Sequence, residues 1–148
     1  MSPDDAVLHI CGGKAREYPY RGFGVNDKTL DLDPACAPDF LQDARDVFPL
    51  RQVTAFPEIP GVYWDAVLID RPYTKDDAAH YVPGADTLPE LNDLVKRALQ
   101  IVPVGHRIAS LDYLWPHPGK HGREVATVAV STGRNNRIRV FSVFERLA

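Results

Sequence analysis

Asp70-Arg71-Pro72-Tyr73 follows directly on the apolar stretch from Trp64 to Ile69. An acid can hold an amino group, an aromatic ring can stack on a flat heterocycle, and a proline can keep both still. Where a buried strand ends in such a run, its residues project into the crevice beyond the carboxyl edge of an α/β sheet, where ligands bind. The Asp70 carboxylate and the Arg71 carbonyl then offer two acceptors to one exocyclic amine, and Tyr73 offers a stacking face. Two acceptors draw the amine toward its nucleophilic geometry. The competing reading is a strand-end turn, capped by Asp70 and bent by Pro72.

Further residues of this kind stand at the ends of other predicted strands. Cys11-Gly12-Gly13 makes a glycine bend after Ile10, and glycines let a cofactor approach the backbone closely. It is not a full Gly-x-Gly-x-x-Gly, and Lys14 does not have the spacing of a phosphate-binding loop. Asp31, at the end of the next strand, can accept both hydroxyls of a ribose. Asp31 and Asp33 equally suit a solvated Asp-Pro turn with Pro34. Asp43, in Gln42-Asp43-Ala44-Arg45, can accept from an adenine amine or stand as a surface acid. The two cysteines, Cys11 and Cys36, fit neither a Cys-x-x-Cys nor a zinc-ligand spacing. They read as reduced thiols, and no metal is expected.

The elements that must position these residues are strand-rich. Ala6 to Cys11 and Thr29 to Leu32 read as short strands, the second closed by Asp33-Pro34. Ala35 to Arg45 holds a turn or a weak helix broken by Pro38, and Pro57 and Pro60 argue for irregular backbone. Val62 to Ile69 is nearly all apolar, which suits a central parallel strand covered on both faces. Residues 74–87 read as a polar loop. Leu88 to Val102 reads as a helix, with Leu91, Leu94, Val95, Ala98, Leu99 and Val102 in one stripe. Thr87 and Glu90 form a candidate capping box at its start, and Pro103-Val104-Gly105 ends it. His106 to Leu114 is a strand, and Trp115 to Gly122 shows no helical pattern. Glu124 to Ser131 and Arg137 to Phe144 flank the turn Thr132-Gly133-Arg134-Asn135-Asn136 as a hairpin.

With 148 residues, 45% hydrophobic and 25% charged, the chain suits one globular domain spanning residues 1–148. The 13 prolines imply that loops take a large share of it. A net charge of -3 excludes a strongly basic nucleic-acid coat. No window approaches the roughly 20 apolar residues that cross a bilayer, and no signal peptide is visible, so no membrane association and a cytoplasmic location are expected.

In their order along nearly the whole chain, these segments resemble a class I S-adenosylmethionine-dependent methyltransferase of the type that modifies amino groups of adenine or cytosine in DNA. Ile10 to Ala15 stands at the glycine-rich cofactor loop, Leu30 to Pro34 at the acidic end of the second strand, and Asp43-Ala44-Arg45 at the adenine-contacting segment. Asp70-Arg71-Pro72-Tyr73 stands where the family has Asp-Pro-Pro-Tyr. Ala98 to Arg107 resembles the helix and glycine turn before strand five. Thr132 to Arg139, Thr-Gly-Arg-Asn-Asn-Arg-Ile-Arg, is similar to a closing stretch of compact phage and bacterial versions.

The resemblance implies an α/β fold: a minimal Rossmann-like sheet, mostly parallel, with an antiparallel C-terminal hairpin and a reduced first crossover helix. It implies S-adenosylmethionine as cofactor, held by Cys11, Gly12, Gly13, Asp31 and Asp43. It implies methyl transfer to adenine N6 or cytosine N4 in DNA, with Asp70, Arg71, Pro72 and Tyr73 at the target. Two features depart from the pattern: Arg71 replaces a proline, and the first glycine of the cofactor motif is missing. The Arg71 side chain is expected to reach a phosphate of the substrate. These departures motivate the alternatives, a binding module that kept the fold and lost the reaction, or a methyltransferase acting on an amine outside DNA. Thr74 to Gly84 is a candidate lid, with His80 and Tyr81 as substrate contacts. Arg134 and Arg137 belong to a basic group around the last two strands that can meet phosphates or form a solvated rim. With no room for a usual target-recognition domain, base reading is expected to be weak, or to come from a second copy of the chain or a separate partner.

Overall fold

Among the described residues, seven strands form one sheet in the order β3-β2-β1-β4-β5-β7-β6. They are β1 (Val7–Ile10), β2 (Lys28–Asp31), β3 (Phe40–Leu41), β4 (Ala66–Ile69), β5 (Arg107–Asp112), β6 (Gly122–Ser131) and β7 (Ile138–Arg146). Strands β1 to β5 run parallel, and β7 lies antiparallel between β5 and β6. This computed structural model describes residues 5–17, 24–51, 62–72, 74–81, 88–131 and 137–148, without the side chains of Asp77, His80 and Tyr81. The expected sheet is therefore present, including the C-terminal antiparallel pair. Its connecting turn at 132–136 lies outside the described residues.

Chain order reverses between β1 and β4. From β1 the chain adds β2 and β3 on one side, then returns to place β4 on the other. A crevice opens at that reversal, beyond the carboxyl ends of both strands. Leu8 stands beside Val67 and Ile10 beside Ile69, so the central pair is sealed by apolar side chains below the crevice.

Helix α2 (Leu91–Gln100) covers one face. Leu91, Leu94, Val95, Ala98 and Leu99 pack in one core with Leu8, Ile10, Val67, Ile69, Ile108 and Phe144. Asp93 in its first turn and Arg97 in its last suit the helix dipole. The helix starts at an extended Glu90 that makes no side-chain cap bond, so Glu90 is the N-cap rather than a capping-box partner. Thr87 lies outside the described residues. Trp64 enters the same core, donating its Nε1–H to Pro49 O at 2.8 Å and meeting the Phe40 ring edge-on.

The opposite face is less covered. Leu68 in the central strand is 37% exposed, Phe141 36% and Val128 53%. Val62 to Ile69 is thus not covered on both faces as expected. The described parts of the first two crossovers hold only single 3-10 turns, Ala15–Glu17 and Pro34–Cys36, too short to roof a sheet. Over its described residues the first crossover is reduced, as the sequence predicts. Two further elements differ from expectation. Phe40–Leu41 pairs with β2 as a two-residue strand, where a turn or weak helix is predicted. Lys75–Tyr81 forms helix α1, where a polar loop is predicted.

Candidate active site

The first wall of the crevice is the bend after β1. Cys11 and Gly13 take positive φ values of 55° and 50°, which turn the chain sharply. A Cβ on Gly12 would sit 3.2 Å from both His9 Cβ and Thr29 Cγ2, tighter than an ordinary contact, so a glycine suits the close approach of the bend to β2. Gly13 has open space above it. At the amino edge of the sheet, away from the bend, buried Asp27 ties β1 to the start of β2: it accepts from Val7 N at 3.1 Å and from Gly24 N at 2.9 Å and pairs with His9 Nε2 at 3.1 Å.

Asp31 closes β2 and faces this bend. Its Oδ2 accepts the Gly13 N–H at 2.8 Å and its Oδ1 accepts the Asp33 N–H at 3.0 Å. Each oxygen keeps a lone pair, so a half-buried carboxylate stands fixed beside an open glycine turn. That arrangement fits a ribose diol. Asp33 forms the predicted Asp-Pro turn, accepting the Ala35 N–H at 2.8 Å.

Asp43 follows β3, whose end is tied to β2 by Gln42 N donating to Asp31 O at 3.0 Å. Its carboxylate is forked by Arg45, with Nη2 at 2.6 Å from Oδ2 and Nε at 3.0 Å from both oxygens. Hydrogen bonds from Arg45 hold this carboxyl below the usual range. An adenine amine would share Asp43 with that guanidinium.

Asp70 leaves β4 at the reversal point. It is exposed, and its N–H donates to Ile10 O at 3.2 Å, which sets it against the glycine bend. Cys11 lies in the middle of this group. Burial pushes its thiol far above the usual range, and the charges of Asp31 and Asp70 push it further. Cys11 thus lies within the fields of Asp31, Asp70, Arg71 and Asp43, which stand at or just beyond the carboxyl ends of β2, β4 and β3.

Arg71 departs from expectation. Its side chain is 5% exposed and turns inward to Asp112, which is 1% exposed at the end of β5. Nε lies 2.8 Å from Asp112 Oδ2 as an ion pair, off hydrogen-bond alignment, while Nη2 donates to Oδ1 at 3.4 Å. The guanidinium is therefore spent on a buried carboxylate and is not extended toward a substrate phosphate. Asp112 was not predicted. The signal for it was an acid closing the next strand, since a buried arginine needs a counter-charge.

Pro72 follows half-buried, and Tyr73 lies outside the described residues. His80 and Tyr81 sit on α1 with undescribed side chains, and Arg134 lies outside the described residues. The proposed lid over Thr74 to Gly84 is helical over Lys75–Tyr81, and residues 82–87 are not described. Arg137 lines a shallow groove of about 340 Å³ with Thr74, Tyr113 and Ile138. Its guanidinium stands 5.8 Å from the Tyr113 ring centre and that of Arg139 6.0 Å. Hydrogen bonds from Arg137 and Arg139 draw the Tyr113 hydroxyl below its ordinary range.

No protein-family model matches the chain, and no curated protein matches it in sequence. Solved structures do match its fold. TrmN from Thermus thermophilus superposes with a TM-score of 0.60 at 20% identity, over 98% of this chain and 45% of that one. The N-methyltransferase NodS from Bradyrhizobium japonicum WM9, in complex with S-adenosyl-L-homocysteine, gives 0.59 at 8% identity, over 96% and 78%. An rRNA methylase from Streptococcus thermophilus gives 0.54 at 10% identity, over 98% and 89%. The fold is that of the Rossmann-like methyltransferases. The chain spans less than half the length of TrmN.

Proposed function

We propose that this protein is an S-adenosylmethionine-dependent methyltransferase acting on an exocyclic amino group, with adenine N6 or cytosine N4 of DNA as the leading target. The observation that carries this reading is the hydrogen bond from Asp70 N to Ile10 O, which sets the backbone of Asp70, an exposed residue, beside the glycine bend at the reversal of the sheet. Asp31 and the Cys11–Gly13 bend would hold the cofactor's ribose and its amino-acid portion, and Asp43 its adenine. When bound, the cofactor supplies an electrophilic methyl on a sulfonium.

The residues of the chain supply orientation. Asp70 and the Arg71 carbonyl accept the two amine hydrogens, which turns the nitrogen lone pair toward the crevice. Pro72 stiffens the segment and Tyr73 stacks on the ring. Alignment of the reacting atoms accounts for much of the rate in such a transfer, and no covalent intermediate is needed. A base in duplex DNA must leave the helix to reach Asp70. A net charge of -3 favours a second reading, an amine substrate outside DNA, with the same residues in the same roles.

The test is Asp70→Ala. Methyl transfer to DNA, RNA and small amines should fall by at least 100-fold, on the order expected for a group aligned with the reacting atom. Binding of S-adenosylmethionine, followed by calorimetry, should stay within a factor of about three. Transfer that survives the substitution removes Asp70 from the reaction. Cofactor binding without transfer by the unaltered protein on all three substrate classes turns the reading to a binding module.

A further inference from the structure

We propose that the buried Arg71–Asp112 ion pair positions the acceptors at the target, replacing by a tether the rigidity that a proline at 71 would give. This inference rests on the transfer reading above for its purpose, though not for its geometry. A proline at 71 would fix its own φ and press residue 70 into extended backbone. Arginine does neither by itself. Here its side chain does it from the far end. The guanidinium lies against Asp112 at 2.8 Å and 3.4 Å, and its Nη1 donates back to Pro72 O at 3.4 Å. Asp112 is itself fixed by accepting the Leu114 N–H at 3.0 Å. Arg71 is thus held at three places: its backbone after β4, the Pro72 carbonyl, and the end of β5. The direction of its own carbonyl, the second acceptor for the amine, is set by those restraints.

The pair is a poor choice as fold cement. A buried ion pair can be replaced by apolar side chains of similar size at little loss, whereas removing one partner leaves a buried charge uncompensated. Burial already pushes the Asp112 carboxyl up, against the pull of the Leu114 N–H and Arg71. Its place beside Asp70, where the backbone must be rigid and a ring is missing, suits specificity of position. Arg71 and Asp112 are positioning residues: the Arg71 side chain turns inward to Asp112, which leaves its carbonyl as the group assigned to the amine.

The experiment uses two double variants of the full chain, so that no buried charge is left alone. Arg71→Met with Asp112→Leu removes the tether, and Arg71→Pro with Asp112→Leu removes it and restores the ring. Both should keep the melting temperature within a few degrees and S-adenosylmethionine affinity within threefold. In the first, hydrogen exchange across residues 69–74 should speed by at least tenfold with α2 unchanged, and kcat should fall by at least tenfold with KM for cofactor unchanged. In the second, both should return to within threefold of the unaltered protein. Unchanged exchange at 69–74 in the first variant overturns the proposal whether or not the protein transfers methyl groups. Faster exchange with kcat intact overturns it too, since the segment then needs no fixing. Exchange that responds and is rescued, in a protein that transfers to no amine, keeps the tether and rejects the transfer reading instead.

Discussion

Asp31 is the side chain whose loss should separate cofactor binding from the rest of the site. It touches the glycine bend and its own turn through backbone N–H groups, and an asparagine can keep only one of those contacts at full strength. Asp31→Asn should weaken S-adenosylmethionine binding by about tenfold, or ~1.4 kcal/mol, read by calorimetry. Unchanged affinity would reject the ribose assignment. The two thiols give a second check. Burial and the Asp33 hydrogen bond push Cys36 up to about 11, and Cys11 lies higher still. Both stay protonated at pH 8, so iodoacetamide should label each slowly, Cys36 first, with rates rising as pH rises. Asp31, Asp70 and the Gly12-Gly13 bend were legible in the sequence because each ends a strand within a few residues of the apolar run that reveals it. The destination of the Arg71 side chain was not, because Asp112 comes 41 residues later and only tertiary pairing joins them.

The strands and α2 were legible for the same local reason: period and apolar content mark them. What the pattern missed were elements held by polar contacts. The pairing of β3 with β2 depends on Asp39, which accepts the Thr29 N–H at 2.8 Å, holds Lys28 Nζ at 3.2 Å and pairs with Arg16. No hydrophobic period signals two residues placed in this way. Helix α1 buries Ala78, has no apolar stripe, and carries Asp76 and Asp77 where the helix dipole favours acids. Burial raises the Asp39 carboxyl, but bonds from Arg16, Thr29 and Lys28 outweigh it and hold the group at about 2, below its ordinary 3.8. Because the folded value is depressed, this stabilisation is fully present above about pH 4 and is lost as pH falls through about 2. Asp39→Asn should lower stability at pH 7 by about 1–2 kcal/mol and have little effect near pH 2, as urea unfolding at the two pH values will show.

Among the described residues, the main core lies on one side of the sheet, and the other side leaves Leu68, Phe141 and Val128 partly exposed. Val128, on edge strand β6, is over half exposed and pairs with Phe141. Val128→Glu should therefore change stability by no more than about 0.5 kcal/mol while reducing binding of an apolar dye, measured by urea unfolding and dye fluorescence. The sheet also unites near and distant parts of the chain. Strands β5 to β7 and α2 come from one continuous stretch, whereas β1 meets β4 across a sequence separation such as the 59 positions from Ala6 to Asp65. Local pairings close sooner than distant ones. The carboxyl-terminal half should assemble early and the β1–β3 half dock onto it late, visible as two stages of amide protection in pulse-labelled refolding. The crevice lies on that seam, with Asp112 on the early side and Gly13 and Asp31 on the late one. A nucleoside that bridges the seam would then act as a latch, slowing the undocking of the amino-terminal strands.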